Sequence, residues 1–117
     1  MSDASLGQML AEWIESVRVE SLPADVVRGC ADTVIDTVGL SLAARRTDYV
    51  AALREAWTGE GGCTVFGWPE KRDAPSAAMI NGTAAHGEDF DNTFEGCPLH
   101  SGAVIVPAVL AAAEAFG

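Results

Sequence analysis

His86 and His100 are the two histidines of the 117-residue sequence, and Glu88, Asp89, Asp91, Asn92, Thr93 and Glu95 lie between them. Three kinds of chemistry are open to such a set. Histidine and aspartate transfer protons, threonine and asparagine hydrogen-bond an oxygen-rich ligand, and the carboxylates with the imidazoles ligate metals.

The metal reading is the easiest to test by spacing. Asp89-x-Asp91-x-Thr93 begins like a calcium loop, but the position that needs a glycine turn is Phe94, and the position that needs a bidentate glutamate is His100. No HExxH, Walker or GxSxG pattern occurs elsewhere, so no metal site is expected. Proton transfer is better served. A helix ending at Asp89 holds a carboxylate rigidly, and His100 at the start of the next helix faces it. That pair suits abstraction of a proton beside a carboxylate, or elimination of water. Taken singly each residue has a plainer role. His86 reads equally well as a structural hydrogen-bonder, and Asp91, Asn92 and Glu95 as loop caps. Only the combination points to a site.

The elements that must position these groups are helical. Leu6, Met9, Leu10, Trp13, Ile14 and Val17 form one apolar stripe. Ser5 and Gln8 fit a capping box at its start, and the helix ends near Val19 to Ser21. Pro23 opens a second helix, lined by Val26, Val27, Cys30, Val34, Val38 and Leu42 and running to about Ala44. Gly29 and Gly39 each weaken it by roughly 1 kcal/mol relative to alanine, unless a neighbour packs close against them. Asp48 caps a third helix carrying Tyr49, Leu53 and Trp57. Cys63 to Gly67 reads as a short extended segment, and Trp68 to Asp73 as polar connection. Pro75 starts a fourth helix, Ser76 to about Glu88. A fifth, Ser101 to Phe116, is apolar on nearly every side, the pattern of a buried helix that needs more protein around it. The predicted fold class is all-α, with about five helices and one short extended segment.

Composition sets the limits. Apolar residues make up 49% of the chain but aromatics only 7%, so a core must come from Ala, Val, Leu and Ile. Seventeen acidic against seven basic residues give a net charge of −10, which argues against nucleic-acid binding. The same charge should repel an anionic substrate unless cationic groups arrive from elsewhere. Cys30, Cys63 and Cys97 lack close-pair spacing and are expected as reduced thiols. The apolar run Ala103 to Ala113 is too short to span a bilayer, and Met1 to Ala4 lacks the basic start of a signal peptide. A cytoplasmic protein with no membrane association is expected.

The residues quoted so far carry a resemblance. Asn81-Gly82-Thr83-Ala84-Ala85-His86, then Asp89-Phe90-Asp91-Asn92-Thr93, then His100-Ser101-Gly102-Ala103-Val104 with Pro107 resemble the signature of the MmgE/PrpD family. Leu22-Pro23, Asp36-Thr37-Val38-Gly39 and the Cys63-to-Gly67 segment are weaker echoes. The resemblance, to a family that includes 2-methylcitrate dehydratases, cis-aconitate decarboxylases and iminodisuccinate epimerases, implies a lyase or isomerase acting on small polycarboxylic acids, 2-methylcitrate dehydratase-like, by acid–base proton transfer. It further implies a helical main domain with a separate lid, a homodimer, and no metal or organic cofactor. Carried onto this sequence, it makes Asp89, His100 and Thr93 the expected catalytic residues. Asp91, Asn92 and His86 are expected on the substrate side. Two departures stand out. Many members read Asp-Asp-Thr where this chain has Asp91-Asn92-Thr93. Many also read His-Pro-Ser, so that without a gap the family histidine falls on Leu99 and His100 sits one position later. The chain is expected to be the N-terminal segment of a longer architecture, with a partner chain or the missing remainder completing the site. The alternatives are a non-catalytic helical subunit and an acidic metal-binding domain.

Overall fold

A computed structural model describes residues 4–117 and contains five α-helices: α1 (Leu6–Ser16), α2 (Ala24–Ala44), α3 (Asp48–Ala56), α4 (Ala74–His86) and α5 (Ser101–Phe116). Two short strands, β1 (Cys63–Thr64) and β2 (Lys71–Arg72), pair antiparallel with Cys63 opposite Arg72. The all-α expectation holds. The expected extended segment is β1, and its partner β2 lies in the stretch read as polar connection.

Chain packing separates two units, one up to Ala31 and one from Asp32 to Gly117. In the first unit, α1 starts at the expected capping box. Gln8 N donates to Ser5 Oγ (3.3 Å) and Ser5 N to Gln8 Oε1 (2.8 Å). The helix stops at Ser16, earlier than its periodicity suggests, and a separate 3₁₀ turn occupies Val19–Ser21. None of its residues is buried.

The second unit holds the core. Along α4 the buried residues recur as Ser76/Ala77, Ile80/Asn81 and Ala84/Ala85, one i, i+4 ridge. Val50, Cys63, Val65 and Ala111 close on it, with Tyr49, Leu53 and Trp68 at the margin. Asp73, not Pro75, begins α4: its side chain accepts from Ser76 N (3.0 Å). Likewise Thr47 is the N-cap of α3, and Asp48 is its first residue. Asn81 is a bracket inside the core. Its side chain accepts from Phe66 N and donates to Thr64 O, both at 2.8 Å, tying α4 to the β1 segment. Arg54 of α3 stacks 3.5 Å from the centre of the Trp68 ring and pairs with Glu70. No helix among the described residues is long and apolar enough to cross a membrane.

The fifth helix carries, as expected, more apolar surface than this chain covers. Gly102, Ala103, Val106, Pro107 and Ala111 are buried against the core, while Val104, Ile105 and Val109 lie open at 57–72% exposure. Pro107 has no N–H, so the carbonyl of Ala103 loses its usual helical partner. Gly82 of α4 approaches this carbonyl: a Cβ at Gly82 would lie 2.8 Å from Ala103 O. The two helices thus meet backbone to backbone.

Gly39 shows the opposite situation, with nothing within 4 Å of an added Cβ. Gly39→Ala is therefore expected to raise stability by about 1 kcal/mol, the helix-propensity difference, measured by denaturant unfolding.

At its C-terminal end α5 is fastened by Glu114, whose carboxylate accepts from the backbone N–H and the hydroxyl of Thr64. The Thr64 hydrogen bonds, with Lys71 nearby, hold the Glu114 carboxyl below its ordinary value. A lowered folded-state value contributes stability above the unfolded-state value, and this is lost as pH falls through the folded one. The difference in melting temperature between wild type and Glu114→Gln is expected to be largest near neutral pH and to shrink below about pH 4.

Candidate active site at the α4–α5 connection

The second unit brings four of the six expected site residues, His86, Asp89, Asp91 and His100, together through a turn, a loop and two helix ends; Asn92 caps the next helix instead, and Thr93 is not in the cluster. α4 ends at His86, and Asp89 N donates back to His86 O (2.8 Å). Asp89 takes φ +57°, the one positive-φ residue other than glycine among those described. Aspartate tolerates this left-handed conformation better than most side chains. The expected helix end at Asp89 is thus a reversal two residues beyond the C-cap Gly87. Tyr49 of α3 steadies it by donating its hydroxyl to Glu88 (2.9 Å). Partial burial pushes the Tyr49 phenol up; a contact with Thr47 opposes this, and the Glu88 carboxylate adds to it.

Beyond Asp89 the chain closes a tight turn, Phe94 N to Leu99 O (2.9 Å) and Cys97 N to Phe94 O (3.2 Å). This turn returns the chain to the start of α5. His100 occupies the N-cap position but makes no side-chain cap bond. Asn92 takes over that task, its Oδ1 accepting from Gly102 N (3.1 Å). Gly102 permits the contact, since a Cβ there would lie 2.5 Å from Asn92 Oδ1 and 2.9 Å from Thr37 Oγ1.

At the centre lies Asp91, whose side chain is wholly buried. Its carboxylate meets His86 Nδ1 at 3.0 and 3.3 Å, and His100 Nδ1 lies 3.4 Å from the same Oδ1. His100 Nδ1 is buried, and the 3.4 Å approach does not meet hydrogen-bond geometry. The pair expected from sequence, Asp89 with His100, is looser at 3.8 Å to Nε2. The two imidazole rings are 4.8 Å apart at a 57° tilt. Thr93 and Asn92 are exposed on the loop. Leu99 is 58% exposed, and its successor His100 is the residue that meets the carboxylates. What sequence reading missed is the central place of Asp91, because an aspartate in a polar loop ordinarily reads as solvated.

One ligand atom from each of His86, Asp89, Asp91 and His100 lies within 4.8 Å of the others, near enough to share a divalent cation. Asp91 Oδ1, however, already faces both Nδ1 atoms. A cleft of about 800 Å³ opens beside the two histidines, lined by Trp57, Met79, Thr83, Leu99, Val104 and Ile105 among others. No lysine or arginine lines it. The groups present can move protons and accept hydrogen bonds, and they supply no positive charge for an anion unless an imidazole is protonated.

The chain is 28% identical over 108 residues to the cis-aconitate decarboxylase-like protein oryM of Aspergillus oryzae, covering 90% of this chain and 22% of that one. It is 30% and 31% identical over 116 residues to the cis-aconitate decarboxylases of Mus musculus and Homo sapiens, covering 96% of this chain and 24% of each. It thus spans under a quarter of the length of these relatives. No solved structure gives a significant match. The family model of the MmgE/PrpD N-terminal domain matches residues 8–117, nearly the whole sequence with the site inside it, and the chain belongs to the MmgE/PrpD family.

Proposed function

We propose that this chain is the N-terminal segment of a lyase that acts on a small polycarboxylic acid by proton transfer beside a carboxylate. The observation that carries the reading is the meeting of His86, Asp89, Asp91 and His100 within one family-matched segment. Relatives named as cis-aconitate decarboxylases make decarboxylation of an unsaturated tricarboxylate the first reaction to test. Such a reaction breaks a carbon–carboxylate bond and releases CO₂. The electron pair left behind takes a proton on carbon, and an imidazole at the cleft is the natural donor. Dehydration or epimerisation would use the same groups.

The cations that a polycarboxylate needs are assigned to polypeptide outside this segment, because none lines the cleft. With this reading go a homodimer, or a partner chain supplying the rest of the site, as the family resemblance implies, and a cytoplasmic setting. The test is a panel of polycarboxylates (cis-aconitate, 2-methylcitrate, iminodisuccinate) offered to the natural polypeptide that carries this segment, with products identified by NMR. Turnover of one of them is expected. A folded polypeptide that converts none would sink the proposal.

A second reading, a non-catalytic subunit that docks on a partner chain, draws on the open apolar faces. Leu6 and Trp13 of α1 are 82% and 63% exposed, and Val104 of α5 is 72% exposed. Stoichiometric complex formation without turnover would favour it.

A further inference from the structure

We infer that Asp91 is a positioning residue for two working imidazoles, and that His86 is an acid–base group alongside His100; the inference rests on the proton-transfer reading above. Asp91 is buried. Its side chain has no exposed surface, and a buried carboxylate must be met by donors. His86 Nδ1 is hydrogen-bonded to it at 3.0 and 3.3 Å, and His100 Nδ1 faces the same oxygen at 3.4 Å, outside hydrogen-bond geometry. An ionised carboxylate can only accept, so the nitrogen bonded to it carries the proton. In a neutral imidazole the other nitrogen then bears the lone pair. The His86 ring is thereby set with Nε2 as the atom that takes or gives a proton, and the same carboxylate oxygen beside His100 Nδ1 favours that tautomer there too.

This is the arrangement by which a third group orients a catalytic base, doubled on one carboxylate. The surroundings fit it. His86 is half exposed and His100 a quarter exposed, and both line the cleft. Their rings are 4.8 Å apart, close enough to address neighbouring atoms of one small substrate. Asp89 Oδ1, at 3.8 Å from His100 Nε2, leaves that nitrogen without a tight partner. Asp91 itself is buried behind the rings and reaches substrate only through them.

The test reads tautomers and turnover separately, on the natural polypeptide that carries this segment. Two-bond ¹H–¹⁵N spectra of ¹⁵N-histidine protein, at one pH where the rings are neutral, are expected to show Nδ1–H at both positions. In Asp91→Asn the His86 signal is expected to move toward the Nε2–H form. The kcat on the polycarboxylate should fall by about 10²–10⁴-fold, as when an orienting aspartate is lost, with KM changed by less than about threefold. Asp91→Glu should restore part of the loss. Should Asp91→Asn fail to fold, His86→Gln carries the kinetic arm, with a drop in kcat of about 10²-fold or more. Nε2–H at His86 in the wild type, or full kcat in His86→Gln, overturns the inference. Wild-type Nδ1–H tautomers that switch in Asp91→Asn, in a polypeptide that converts no polycarboxylate, uphold the positioning role and sink the substrate reading instead.

Discussion

Replacing Asp89 by glycine is expected to abolish most turnover while leaving the protein as stable as before. The activity side follows from position. Asp89 is the exposed carboxylate of the cluster, beside His100 Nε2, and losing a positioned acid–base group costs about 10²–10⁴ in rate. The stability side follows from the backbone. Asp89 sits at φ +57°, where a side chain costs roughly 1–2 kcal/mol that glycine does not incur. Glycine's greater freedom in the unfolded chain offsets about 0.5–1 kcal/mol of that gain. The melting temperature of Asp89→Gly should therefore hold or rise slightly. Thermal unfolding and steady-state kinetics on the same preparation check both halves. A large drop in melting temperature would mean that the carboxylate supports the fold, and retained activity would remove it from the chemistry.

Gly82→Ala is expected to act in the reverse sense, lowering stability and turnover together although Gly82 touches no reacting group. The added methyl would sit 2.8 Å from the backbone oxygen of Ala103, and a helix backbone cannot swing aside as a side chain can. Overpacking of this kind costs about 1–3 kcal/mol. Relief requires α5 to shift away from α4. Because His100 and Gly102 stand at the start of α5, that shift would carry the imidazole away from Asp91 and break the Asn92 cap. Gly39→Ala is the internal control, since the same chemical change in open space should stabilise. Equal effects at the two glycines would contradict the packing account.

The helices were legible because their signals are local. The Ser5–Gln8 box appears where it was expected, and the apolar spacing located all five helices to within a few residues. The errors lie where tertiary context decides. Two residues such as Lys71-Arg72 have no alternation to read, and they become a strand only because β1 lies opposite. Thr47 and Asp73 are caps whose neighbours, Asp48 and Pro75, looked like equally good starts. The uniform apolarity of α5 marked a helix that needs more protein around it, and its outward residues are indeed open in this chain; which face turns to the core was not written in that pattern.

The site divides along the same line. Residue types, spacing and the family resemblance marked Asp89, His100 and Thr93, with Asp91, Asn92 and His86 beside them, and the structure gathers His86, Asp89, Asp91 and His100 of these. They could not say that Asp91 is the buried centre, since that depends on the turn closed by Phe94 and Leu99 and on the Asn92 cap. Nor could they say that His100 stands at the N-cap of α5 facing the carboxylates while Leu99 lines the cleft.

The central claim is that this cluster moves a proton at a carbon near a substrate carboxylate. The most direct measurement is solvent-isotope incorporation: the natural polypeptide that carries this segment, incubated with cis-aconitate in D₂O and followed by NMR. The account predicts CO₂ release with one deuterium placed on carbon in the product, and loss of that deuterated product in Asp89→Asn. Turnover that proceeds unchanged in Asp89→Asn, or a folded wild type that neither releases CO₂ nor places deuterium on carbon, would contradict it.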